Sequence, residues 1–100
     1  MVHKIIWSPE AFRTYTATLG YLEKEWTEKE VNNFIARVNQ KLNILKLQPL
    51  IGRPTGLRKN THLTIINKRV TLAYTYKASK KEIELVSFWN NYLDPEKRNW

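Results

Sequence analysis

Residues 57–76 read LRKNTHLTIINKRVTLAYTY, and the kind of domain depends on whether this stretch is taken as a hairpin or as a helix. Leu57, Thr61, Leu63 and Ile65 fall on one face and Arg58, Asn60, His62 and Thr64 on the other; Val70, Leu72, Tyr74 and Tyr76 then alternate with Arg69, Thr71, Ala73 and Thr75. A period of two, rich in β-branched and aromatic residues, is a strand pattern. Asn67-Lys68 between the two runs is a two-residue turn signal. The stretch therefore reads as a β-hairpin with one apolar and one wet face.

Working outward, Ala78-Ser79-Lys80-Lys81 is a second turn, and Glu82–Trp89 is a third strand with Ile83 and Leu85 inward and Glu82 and Glu84 outward. Upstream, QPLIGRPTG (48–56) holds two prolines and two glycines, a loop that ends whatever helix precedes it. That helix starts at Thr27-Glu28-Lys29-Glu30, a capping-box pattern, and carries Val31, Phe34, Ile35, Val38, Leu42 and Leu45 on one stripe. An earlier helix begins at Ser8-Pro9-Glu10, with a cap, a first-position proline and an acid at the positive end. Its stripe is Phe12, Tyr15, Leu19, Leu22 and Trp26. Gly20 inside it costs roughly 1 kcal/mol relative to Ala and reads as a point of close packing, a bend or a simple tolerated loss. Val2–Trp7 is a short first strand.

The expected architecture is one α+β domain over residues 1–100 in βααβββ order. An N-terminal helical hairpin packs on one face of a mainly antiparallel four-stranded sheet. The helices cover the face of Leu63, Leu72, Tyr74 and Leu85, which leaves Arg58, His62, Arg69 and Lys77 on the uncovered face.

The chain has 100 residues, 17 basic and 9 acidic, for a formal charge of +8. Between Arg53 and Lys81 there are eight basic residues and no acid, a field that attracts polyanions or acidic protein segments. There is no cysteine, which removes disulfides, thiolate zinc sites and cysteine nucleophiles. No apolar run is long enough for a membrane span or a signal-peptide core, so the expected location is the cytoplasm. Two isolated histidines, His3 and His62, without spaced carboxylates give no metal site, and no phosphate loop or nucleophile elbow is present; no cofactor is expected.

The order of strand, helical hairpin and three-stranded meander, with PLIGRPTGLR leading in, VTLAYTY as middle strand and IELVSFWNNYLDPEK at the end, resembles the RelE/ParE superfamily of bacterial toxins. These belong to type II toxin–antitoxin, or plasmid stabilisation, systems. The resemblance covers nearly the whole chain. It implies a small basic toxin neutralised by a cognate antitoxin, acting either as a ribosome-dependent mRNA endoribonuclease or as an inhibitor of DNA gyrase.

The resemblance to the nuclease branch is in outline only. Those relatives tend to carry an arginine where this chain has Thr71, and histidine or arginine after the last strand, where it has Trp89-Asn90-Asn91-Tyr92. An indole and an amide do not exchange protons near neutral pH. Tyr92, Arg69 and Lys59 are the remaining catalytic candidates. Arg53, Arg58, Lys59, His62, Arg69 and Lys77 are the candidates for contact with nucleic acid or a partner. The reading leans to a ParE-like, non-nuclease toxin; the alternatives are a RelE-like endoribonuclease and a degenerate relative that only binds.

Overall fold

The computed structural model describes residues 3–25, 27–56, 59–67 and 69–90, with the side chains of Leu22, Glu25 and Asn90 outside the description. Strand β1 (Lys4–Trp7) leads into helices α1 (Pro9–Glu25) and α2 (Glu28–Leu47). Strands β2 (Arg53–Pro54), β3 (Thr61–Ile65), β4 (Val70–Lys77) and β5 (Glu82–Asn90) follow, with one 3-10 turn at Ala78–Lys80. They form one sheet in the order β1-β5-β4-β3-β2.

The sheet has five strands, against the four expected. The extra one is Arg53–Pro54 in the predicted loop, which pairs antiparallel with Leu63 and His62. Two residues carry too little pattern to read as a strand. Proline is tolerated there because β2 is an edge. The other pairs among β2 to β5 are antiparallel, while β1 runs parallel to β5. A parallel pair needs a long crossover, and the α1–α2 hairpin lies within it.

Both helix starts follow their caps. The Ser8 hydroxyl accepts the Ala11 N–H at 3.0 Å and donates to the Val86 carbonyl at 3.2 Å, tying the α1 start to β5. Thr27 Oγ1 accepts the Glu30 N–H at 3.3 Å. On α2, Val31, Phe34, Val38, Leu42 and Leu45 are buried, as their spacing requires. On α1 the buried face is rotated by one position. Ala11 and Thr18 are buried, whereas Phe12 is 64% exposed. The anchor is Thr14, whose hydroxyl accepts the Phe88 N–H of β5 at 2.8 Å. Tyr15 stacks on Phe34 and leans on Trp7 and Phe88. Gly20 is not a close contact: a Cβ there would meet nothing within 4 Å. Trp26 lies outside the described residues.

The hairpin departs most from expectation. Its turn holds three residues, not two: the Ile66 N–H bonds to the Val70 carbonyl at 3.0 Å. The Asn67 side chain closes it by accepting the N–H groups of Arg69 and Val70 at 2.8 and 2.9 Å. One added turn residue shifts the pairing by one and turns every β3 side chain to the opposite face. Leu63 thus lies opposite Ala73, Thr64 opposite Leu72, and His62 opposite Tyr74. Leu72, Tyr74, Val70, Ile83, Leu85 and Phe88 form the core under the helices. Leu63 belongs instead to a second cluster with Ala73, against which Val86 and Trp89 pack on the far side of the sheet. A bulge in β5 between the pairs Ala73–Ser87 and Tyr74–Leu85 adds Val86 to that side.

Candidate functional site

Expectation placed function on the sheet face away from the helices. Its centre is apolar, built from Leu63, Ala73, Val86 and Trp89. Ser87 lies among them at 7% exposure, with a buried hydroxyl that has no hydrogen-bond partner among the described residues. Thr61 and Thr75 share a hydroxyl–hydroxyl bond of 3.0 Å across β3 and β4.

The candidate cations lie around this centre and do not converge. Arg53 is exposed on the edge strand, opposite Leu63. Lys59 is exposed in the turn entering β3. Arg69 is half-buried in the Asn67 turn, before β4 begins. Lys77 ends β4 and faces the Glu84 carboxylate at 3.6 Å. Arg69 and Lys77 thus flank the two ends of an eight-residue strand, separated by roughly 26 Å at the usual strand rise. The Asn60 carbonyl accepts the Tyr76 N–H, which puts Lys59 at the Lys77 end. Lys59 and Arg69 therefore do not meet around one phosphate. At the Lys77 end an open groove of about 600 Å³ is lined by Asn60, Lys77, Ser79 and Lys80 among others. Arg58 and Tyr92 lie outside the described residues.

His62 is a correction: it is not on the uncovered face. Its ring stacks on Tyr74 at 5.5 Å on the helix side of the sheet, and its Nδ1 is buried without a hydrogen-bond partner among the described residues. His3 is held by two bonds, from Nδ1 to the Lys46 carbonyl at 3.0 Å and between Nε2 and the Tyr76 hydroxyl at 3.1 Å. Neither histidine is on the cation-rimmed face. Among the described residues no group of three His, Cys, Asp or Glu side chains could hold a metal ion.

One polar cluster escaped the sequence reading. The fully buried Tyr74 sends its hydroxyl into the Pro49–Gly52 loop, donating to the Pro49 carbonyl at 2.8 Å and accepting the Gly52 N–H at 2.9 Å. Burial raises the Tyr74 pKa above the usual phenolic value, and the Gly52 bond opposes that; burial raises Tyr15 as well. The glycine pair in QPLIGRPTG was the available signal. At Gly52 a Cβ would stand 2.7 Å from both the Leu63 carbonyl and the Tyr74 hydroxyl, so the loop closes only with glycine there.

No protein-family model matches the sequence, and no curated protein matches it. Solved structures do. A free-state structure of the E. coli toxin RelE superposes with a TM-score of 0.64 at 11% identity, covering 95% of this chain and 90% of that one. The toxin–antitoxin complex RelBE2 from Mycobacterium tuberculosis gives 0.60 at 16% identity, over 90% and 99%. The YoeB–YefM complex from Staphylococcus aureus gives 0.56 at 20% identity, over 89% and 97%. This chain carries the fold of the RelE and YoeB toxins, the fold of the RelE/ParE superfamily that its sequence resembles.

Proposed function

We propose that this chain is the toxin of a bacterial type II toxin–antitoxin pair, a cytoplasmic member of the RelE/ParE superfamily neutralised by a cognate antitoxin. Within that class it acts as a ParE-like, non-nuclease toxin directed at DNA gyrase. One observation carries the choice of branch. The cation-rimmed sheet face has an apolar centre of Leu63, Ala73, Val86 and Trp89, and neither histidine lies on it. Cleaving RNA requires groups that take a proton from the 2′-hydroxyl and return one to the leaving oxygen, beside clustered cations. Leu63 and Ala73 are buried, and the half-buried Val86 and Trp89 between separated cations suit contact with a protein surface.

A second reading, a ribosome-dependent mRNA endoribonuclease, is favoured by the likeness to RelE and YoeB. It would rest on Tyr92, with Arg69 or Lys59. In a third, the chain binds an antitoxin and has no target.

Induced expression followed by parallel measurement of plasmid supercoiling and protein synthesis separates the three. The proposal expects negative supercoiling to fall before translation does, and Tyr92→Phe to retain toxicity. Early arrest of translation with cleaved message on ribosomes, abolished by Tyr92→Phe, would establish the nuclease. No growth effect at any expression level leaves the binding module.

A further inference from the structure

Apolar exposure among the described residues is concentrated at one turn. Six large apolar side chains are exposed, and three of them, Leu47, Leu50 and Ile51 at 67%, 66% and 49%, fall within residues 47–51. The backbone that carries them is held in place. The Ile51 N–H donates to the Gln48 carbonyl at 3.2 Å, closing a β-turn with Pro49 and Leu50 at its two central positions. The Gln48 N–H ends α2 on the Ile44 carbonyl at 2.8 Å, and the Tyr74 hydroxyl holds Pro49 and Gly52. Leu50 thus stands at the tip of a turn tied to the core. The grooves of about 600 Å³ beside Lys77 and about 420 Å³ between α2 and the end of β3 include none of the three side chains.

The surroundings are cationic. Lys46 precedes Leu47 in the last turn of α2, and the exposed Arg53 follows Ile51 by two residues. The His3 ring joins the Lys46 carbonyl to the Tyr76 hydroxyl, which brings the end of β4, followed by Lys77, Lys80 and Lys81, to the end of α2. No acid occurs from Val31 to Lys81.

We propose that this turn is a peripheral membrane contact. Leu47, Leu50 and Ile51 enter the boundary between headgroups and acyl chains of an anionic phospholipid bilayer, and Lys46 and Arg53 pair with its phosphates. No helix of the described residues is long and apolar enough to cross a membrane, so the contact is at the surface. It stands apart from the toxin reading, since it needs neither a target nor an antitoxin.

Shape and charge together select the bilayer. Exposed apolar patches with a polar rim mark interaction sites. A nucleic acid would pair with the cations and leave the aliphatic side chains in water. A second copy of this chain would set Lys46 and Arg53 against their own images, with no acid in the span to offset them. A partner helix is received by a groove that takes its anchors, and this turn is convex. A bilayer needs no matching cleft: it accepts projecting aliphatic side chains, and its negative surface attracts the flanking lysine and arginine.

The test uses the full-length protein with phosphatidylcholine vesicles, with or without phosphatidylglycerol. The chain has no cysteine, so Leu50→Cys carries a single environment-sensitive fluorophore. Asn33→Cys, exposed on α2 and about 21 Å from Leu47 along the helix, is the control. The proposal expects co-sedimentation with the phosphatidylglycerol vesicles, a blue shift at position 50 and none at position 33. Leu50→Ser combined with Ile51→Ser should weaken binding about tenfold or more; both side chains are exposed and the backbone bonds of the turn remain, so circular dichroism should show an intact fold. Binding without a blue shift at position 50, or binding undiminished in the double variant, is adsorption of a cationic protein by charge alone and would overturn the proposal. So would a lack of binding to either vesicle, a dimer in sedimentation equilibrium that the double variant abolishes, or a blue shift at position 50 produced by a bound antitoxin and not by vesicles.

Discussion

Replacing Tyr74 by Phe removes one oxygen and keeps the ring, so it isolates the closure of the 49–52 loop onto the sheet. In the wild type that hydroxyl serves two backbone groups, the buried Gly52 N–H and the half-buried Pro49 carbonyl. Leaving a buried donor unmade costs about 1–3 kcal/mol, and the carbonyl, which can turn to water, adds about 1. The expected loss is therefore about 2–4 kcal/mol. For a domain of this size each kcal/mol moves the melting midpoint by roughly 4–8 °C, so the shift should be roughly 8–32 °C. Urea unfolding followed by circular dichroism and by tryptophan fluorescence should show a lower midpoint with an unchanged slope. Tyr76→Phe is the control: among the described residues its hydroxyl meets only His3 Nε2, on a half-buried residue, and its loss should cost less than about 1 kcal/mol. If Tyr74→Phe stays within about 0.5 kcal/mol of wild type, the hydroxyl does not anchor the loop and the account of QPLIGRPTG is wrong.

Gly20→Ala should stabilise the chain by about 0.5–1 kcal/mol, because a Cβ there meets nothing and the residue lies inside α1; thermal unfolding checks it, and a loss would reveal the close packing the structure lacks. Ser87→Ala should be neutral or stabilising by up to about 1 kcal/mol, since it removes a buried hydroxyl without a partner; a clear destabilisation in urea would mean that the oxygen is bonded. Burial raises the pKa values of Tyr15 and Tyr74, so their neutral forms favour the fold. That stability should be intact below the unfolded tyrosine value near 10 and lost as pH rises from there through the folded values. Denaturation midpoints measured across alkaline pH should fall, and Tyr15→Phe should flatten the slope.

The helices were legible because each carries its own instructions. Ser8 and Thr27 cap where a hydroxyl must accept an N–H, and the α2 stripe is long enough to define its buried face. On α1 the face was misjudged by one position because Thr14 and Thr18, polar by type, satisfy their hydroxyls against backbone and turn inward. The hairpin's existence was plain and its facing was not. Asn67-Lys68 fits a two-residue turn, yet the Asn67 carboxamide captures two N–H groups and draws Arg69 into the loop. That one residue moved His62 off the candidate face and put Leu63 on it. The cations were individually visible in the sequence, but their separation was not, because distance along a strand becomes distance in space only once the pairing is known.

Pairing β1 with β5 joins parts of the chain some 78 residues apart, as the Ser8–Val86 bond shows. During synthesis at about 5–20 residues per second, β1 and the cap of α1 must wait several seconds for their partner to be made. Until then the aromatic layer of Trp7, Tyr15 and Phe88 has no third member. A chain interrupted before residue 82 lacks the neighbour that joins β1 to β4, so the sheet closes only after β5 is made. Through that interval the nascent protein is open to proteases and chaperones and lacks the finished sheet face. A cell translating it thus has a period in which to degrade the product before it takes its final form.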